Sequence, residues 1–396
     1  MKRWRTIGIA LTTVAVVAIV AWVLRAKLAV DAWTGQVATG PLSDARGDVA
    51  YPPEFPHASI GAVAAPAQEQ VELCGFGKVT AMQMPAGLQQ EADATVMRLI
   101  EQFERKTGRE QAMGLSLRAM LAVEQATAPI TEGDPLKCMT TPACAKRVEQ
   151  AEQRAAAPTA EQLARLATTN RDPYVYAAAV RACRPFVTGT SAPSCAGVRP
   201  EQLAQLDPDN GANWLLVASD AAERKDTAAL ESALLRTARS RRIDSLALPY
   251  GDLLASIDVH YEPVRTLVLM RLAGAFFGQS PAAYATAASY CPKEMQGVPG
   301  RRELCLELAD VLAERAPDLL GVTNGVAIGA RAGWPADKLA RHEEQRKTLM
   351  AEMNRVAGAP GFSCEWAAGL ETWMGGVFKH GEAGYLRQLT AKRLAR

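Results

Sequence analysis

From about Leu88 onward, apolar residues recur every three or four positions. Val96, Leu99, Ile100 and Phe103 share one face at a 3.6-residue period, and after Gly108 a second face runs through Met113, Leu117, Met120 and Leu121. A strand alternates apolar and polar residues in steps of two, and that pattern is nowhere sustained here. Later segments repeat the helical plan in stripes of roughly 12 to 20 residues, each ended by Pro, Gly or Asp-Pro. The expected body is all-α, built from successive helical hairpins.

Two segments upstream break the pattern. Residues 28–70 carry Pro41, Pro52, Pro53, Pro56 and Pro66 among Ala, Gly and Ser, which predicts an extended tether. Before it, Lys2, Arg3 and Arg5 precede an uncharged run from Thr6 to Leu24, closed by Arg25 and Lys27. At 1.5 Å per residue the run spans roughly 28 Å, close to the hydrocarbon thickness of a bilayer. Trp4 and Trp22 fall near its ends, where amphipathic rings favour the headgroup layer.

The predicted organisation is a cytoplasmic tail at 1–5, a single-pass signal anchor at 6–24, the tether at 28–70 and a helical body at 71–396. The basic excess before the run puts the N-terminus in the cytoplasm and the body beyond the inner (plasma) membrane, in a periplasmic or extracellular space. A cleaved signal peptide, with Val30-Asp31-Ala32 as the cleavage site, is the competing reading. The long apolar run and the two cations after it favour the uncleaved anchor.

Eight cysteines, all beyond the anchor, fit an exported body, because oxidising compartments are where cystines persist. Cys138 with Cys144, Cys183 with Cys195 and Cys291 with Cys305 are neighbours in sequence, which leaves Cys74 for Cys364. The last bridge would tie the start of the body to its end. There is no CxxC for disulfide exchange and no Cys/His grouping with zinc spacing.

The stretch LDPDNGANW, residues 206–214, has the look of a calcium loop, but its register fails. Counting from Asp207, Gly211 and Ala218 stand where oxygen ligands are needed at positions 5 and 12. The alternative is a turn that starts a helix, with Asn210 or Asp209 as N-cap. Asp-Pro recurs at Asp134, Asp172 and Asp207, intervals near the length of a two-helix repeat. After the last, Trp214-Leu215-Leu216-Val217-Ala218 opens one helix, Lys225-Asp226 turns it, and Ala229, Leu230, Ala233, Leu234 and Ala238 line a second. This unit resembles the tetratricopeptide family, with Ala221 where that family favours an aromatic and Lys225 where it favours Gly. The segment RDPYVYAAAVRAC shares the Asp-Pro seam. The resemblance implies TPR-like units around 160–240, a C-terminal helical region over 250–396, and a solenoid-like, irregular repeat body.

Signatures of catalysis are incomplete. HEEQR at His342 lacks the second histidine of a zinc helix, and CGFGKVT at Cys74 lacks the first Gly and the Ser/Thr of a phosphate loop. The best catalytic candidate is a free Cys74 or Cys364 served by His57, His260, His342 or His380, the arrangement an envelope hydrolase acting on cell-wall or peptide substrates could use. No catalytic residue, cofactor or metal ligand is assigned. A net charge of +2 and the absence of a reading motif give no reason to expect nucleic acid.

GVTNGVAIGARAG places Gly321, Gly325, Gly329 and Gly333 on one helical face, predicting a close helix crossing. Near the end, Trp366, Leu370, Trp373, Val377 and Phe378 follow helical spacing as core, and Arg387, Lys392, Arg393 and Arg396 make the last segment basic. These features favour a membrane-held interaction or scaffold module whose partner is an envelope protein or peptide.

Overall fold

The computed structural model describes residues 70–80, 86–131, 138, 141–184, 192–244, 250–277, 283–293, 297–298, 300–357 and 362–395. The anchor expected at 6–24 lies outside them, as do Asp134 and, apart from Gln70, the tether. Among the described residues no helix is long and apolar enough to cross a membrane.

The body is mostly helical. Its first half contains α1 (Ala86–Glu104), α2 (Arg109–Thr131), α3 (Pro142–Thr169), α4 (Pro173–Cys183), α5 (Pro200–Leu206), α6 (Gly211–Glu223) and α7 (Thr227–Ala238). The second half contains α8 (Tyr250–Ala255), α9 (Glu262–Phe277), α10 (Ala283–Tyr290), α11 (Arg301–Arg315), α12 (Leu319–Ala332), α13 (Ala336–Ala357), α14 (Cys364–His380) and α15 (Glu382–Leu394). Pro158 stands inside α3 without ending it, so this proline is not the stop that the sequence pattern suggests.

One short element adds to the helical body. Strands β1 (Gln70–Leu73) and β2 (Gly77–Thr80) pair antiparallel, with Glu72 opposite Lys78, and Leu73 forms a parallel bridge to Phe362. Leu73 and Val79 are buried, while Glu72 and Lys78, paired across the ribbon, are exposed, so one face of the ribbon meets the core and the other meets solvent. Four residues per strand are too few for an alternation of apolar and polar positions to stand out in the sequence.

Consecutive helices pack as hairpins, α1 on α2, α2 on α3, α6 on α7 and α11 on α12, but contact does not stop at neighbours. α9 lies against α1, and both α8 and α9 lie against α14. A linear solenoid touches only its adjacent units, so this closure departs from one. Its polar lock is Arg271 of α9, nearly buried, which pairs with Glu124 of α2 and, at 3.1 Å, with Asp93 of α1. Burial pushes the Glu124 carboxyl up, and Arg271 opposes that shift.

Among the described residues, two apolar clusters result. One joins Ile100, Phe103, Met113, Leu163, Val175, Leu253, Val264 and Trp373, and the other joins Leu215, Leu234, Leu308, Leu312, Val326 and Trp334. Of the C-terminal stripe, Trp373 and Val377 are buried, and Trp366, Leu370 and Phe378 pack against the first cluster. Each stripe residue faces protein because helical spacing aligns it with its neighbours.

Candidate functional site

All eight cysteines are paired: Cys74–Cys364, Cys138–Cys144, Cys183–Cys195 and Cys291–Cys305. The first closes a separation of 290 residues. It sits beside a short backbone clasp in which Cys74 N–H donates to the Phe362 carbonyl at 2.8 Å and Phe362 N–H donates to that of Glu72 at 3.0 Å. Hairpin and α14 are thus joined twice. With both sulfurs in a cystine, neither Cys74 nor Cys364 is the free nucleophile the sequence offered. His260 is almost fully exposed beside Asp258, His342 stacks on Trp334 at 4.7 Å, and His380 lies exposed at the end of α14. Those three histidines converge on nothing, and His57 lies outside the described residues. No group of three or more His, Cys, Asp or Glu among the described residues could hold a metal ion.

The LDPDNGANW stretch is a buried polar seam. Asn210, fully buried, caps α6 by accepting from Ala212 N–H at 3.1 Å. Its amide also exchanges a reciprocal pair with the Asp244 backbone, donating to the carbonyl and accepting from the N–H, each at 2.9 Å. Asp207 accepts from Arg242 at 2.6 Å, and Asn213 donates to the Asp207 carbonyl at 3.0 Å. Gly211 lies against Ser240 so closely that a Cβ would come within 2.4 Å of its hydroxyl. These groups are spent on one another, joining the start of α6 to the segment after α7. Replacing Asn210 with Ala removes the cap and strands two backbone groups of Asp244. The expected loss is roughly 2 to 4 kcal/mol, read as a lower denaturation midpoint.

The four glycines of α12 and its C-cap serve three different purposes. At Gly325 a Cβ would lie 2.4 Å from Ala313 N and 2.9 Å from Leu312 C, so here two helix backbones meet. Gly321 and Gly329 instead admit aromatic rings. A Cβ at Gly321 would meet Tyr284 Cζ at 2.9 Å and Ala316 Cβ at 2.5 Å, and one at Gly329 would meet the Trp334 indole at 2.3 Å. Gly333 is not a packing glycine. It caps α12 in the left-handed region, with φ 84°, because the chain must reverse there before Trp334 folds back over the helix.

A cluster that sequence reading missed lies at the other end of α12. Asp318 is its N-cap: one carboxylate oxygen accepts from Gly321 N–H at 2.7 Å and the other from the Tyr284 hydroxyl at 3.0 Å. Glu382, the first residue of α15, accepts from Leu319 N–H at 2.8 Å. Two carboxyls therefore share one helix N-terminus. Burial pushes Asp318 up, and it raises Glu382 to about 7, with the Asp318 charge adding to the shift. Tyr284 is raised well above its ordinary value by burial and by the same acidic neighbours. The sequence shows Asp318 as a cap after Pro317, but nothing in it brings residue 382 to residue 319.

A depression of about 290 Å³ between α7 and α11 is lined by Arg239, Glu307, Asp310, Glu314 and Arg315. Its charges are mixed, and Asp310 is paired with Lys338 at 2.6 Å.

No family model matches the chain, nor does any curated protein or solved structure.

Proposed function

We propose that this chain is a single-span, extracytoplasmic interaction module. Residues 6–24 anchor it, 28–70 tether it, and the helical body binds an envelope protein or peptide on the far side of the inner membrane. The observation that carries this reading is the set of four cystines, and above all the Cys74–Cys364 bridge beside the point where the leader joins the body. Cystines in such number fit an oxidising compartment. A bridge between hairpin and α14 passes any pull on the tether to both ends of the folded chain.

The tetratricopeptide-like reading of α6 and α7 draws support from Lys225. It occupies the left-handed region, φ 59°, at the turn where that family favours Gly. Non-glycine residues adopt this conformation at a cost of roughly 1 to 2 kcal/mol, so the backbone there keeps the shape a glycine turn would have. Ala218, Ala221 and Ala233 are buried, and their small side chains let the pair approach closely. Stacked helical hairpins present extended surfaces suited to peptides and proteins.

A reporter fused after Arg396 is expected to be active only outside the cytoplasm, and protein extracted from membranes is expected to retain its N-terminus. A cytoplasmic reporter overturns the orientation. A mature chain starting near Trp33 overturns the anchor and leaves a released exported protein.

A further inference from the structure

The turn between α14 and α15 is seated on the turn between α11 and α12 by a small set of contacts. Ala383 N–H donates to the Pro317 carbonyl at 2.9 Å, and Glu382 takes the Leu319 N–H. Gly381, φ 71°, lies so near that a Cβ would come within 2.9 Å of the Pro317 oxygen. This seat brings the Glu382 carboxyl beside that of Asp318, at a helix end already shared with the Tyr284 hydroxyl.

Among the described residues, no cation is paired with Asp318 or Glu382. From α10 comes Tyr284, which donates to Asp318. From α11, Arg315 is held on the Ser240 carbonyl at 2.7 Å, and the Ala313 carbonyl takes Arg387 of α15 at 3.4 Å. From α14, His380 is exposed. α13 meets the opposite end of α15 through Glu352, which is paired with Arg355 and lies 3.8 Å from Arg393. The charge acting on Glu382 is that of Asp318. Two anions are stabilised there by backbone N–H groups, the Tyr284 hydroxyl and the α12 dipole, together worth less than a buried counter-ion.

We propose that this seat is a pH-operated latch, closed while the Glu382–Asp318 pair holds a proton and loosened when both carboxyls are ionised. Released into water, Glu382 titrates as an ordinary carboxyl near 4.5, whereas docked it titrates at about 7. The docked form therefore binds the extra proton between those values. Docking is at full strength below about pH 4.5, weakens as pH rises through the window, and levels off above about 7. The opening equilibrium shifts by up to roughly 300-fold across the whole window, and by roughly 70-fold between pH 5 and pH 8. Freed, the α15 N-terminus would uncover Leu319 and the α12 helix end. The latch is independent of the membrane reading.

Hydrogen exchange of the full chain, corrected for the intrinsic pH dependence of amide exchange, tests it. The Ala383 and Leu319 amides are expected to lose protection steeply from pH 5 to pH 8, while those in the middle of α3 keep theirs. In Glu382→Gln, a neutral isostere that still accepts from Leu319, the protection is expected to stay flat with pH. Parallel profiles in the two proteins overturn the proposal. Should the variant fail to fold, carbon-13 titration of the Glu382 carboxyl in the unaltered chain decides. A midpoint near 7 supports the latch, and one in the ordinary carboxylate range overturns it.

Discussion

The double variant Cys74→Ala/Cys364→Ala is expected to lose roughly 5 to 6 kcal/mol of stability, against about 2 for Cys138→Ala/Cys144→Ala, on the chain-entropy scale for disulfide loops. The difference follows from loop length: the first bridge removes freedom from an unfolded loop with a sequence separation of 290, the second from one of 6. Denaturant unfolding of the double variants and the parent gives both numbers. Because such a loss rivals the whole stability of an ordinary domain, the long-bridge variant is expected to be partly unfolded at physiological temperature. Its first local sign should be lost exchange protection at the backbone amides of positions 74 and 362, whose hydrogen bonds hold the hairpin to the segment that enters α14. If the Cys74→Ala/Cys364→Ala variant unfolds at the parent's midpoint, the long bridge adds nothing, and the α9 contacts with α1 and α14 are what close the body.

How far the sequence could reach depends on the range of each interaction. Helices were legible because their cause is local: the period that aligns Val96, Leu99, Ile100 and Phe103 on one face is also what buries them. The N-cap role of Asn210 was legible for the same reason, since a cap acts over two or three residues. The reciprocal bonds from Asn210 to Asp244 were not, because they depend on where α7 ends and how the chain returns. Cystine pairing lies between these cases: three pairs span short loops, and the fourth is what they leave over. The hairpin at 70–80 was hidden by its brevity, and its partner Phe362 by distance along the chain. The carboxyl cluster is the extreme case, since Tyr284, Asp318 and Glu382 belong to three helices and meet only in the folded body. Its convergence is a property of packing, to which no spacing rule applies.

Gly325 carries the second large effect, and its neighbours on α12 supply the controls. An alanine Cβ at Gly325 would stand 2.4 Å from a backbone nitrogen of α11, and neither helix can yield by rotating a side chain. The helices must separate, opening the contact around Leu312 and Val326 in the second apolar cluster. Alanine would gain roughly 1 kcal/mol in helix propensity, whereas overpacking a tight core costs typically 1 to 3 kcal/mol and more where backbones touch. The crossing wins. Gly325→Ala is expected to lose roughly 2 kcal/mol net, and Gly325→Leu at least twice that or its fold. At Gly329 the obstacle is the Trp334 ring, stacked on His342, so Gly329→Ala should be destabilising but milder, because a ring can tilt. At Gly333 the nearest atom is the Arg302 guanidinium at 3.5 Å, which leaves only left-handed backbone strain of roughly 1 to 2 kcal/mol. The expected order of destabilisation, Gly325→Leu above Gly325→Ala, with Gly329→Ala and Gly333→Ala below, is read from denaturation midpoints at constant slope. If Gly325→Leu unfolds like the parent, the α11 and α12 backbones do not touch, and the glycine face must then be free to receive a partner.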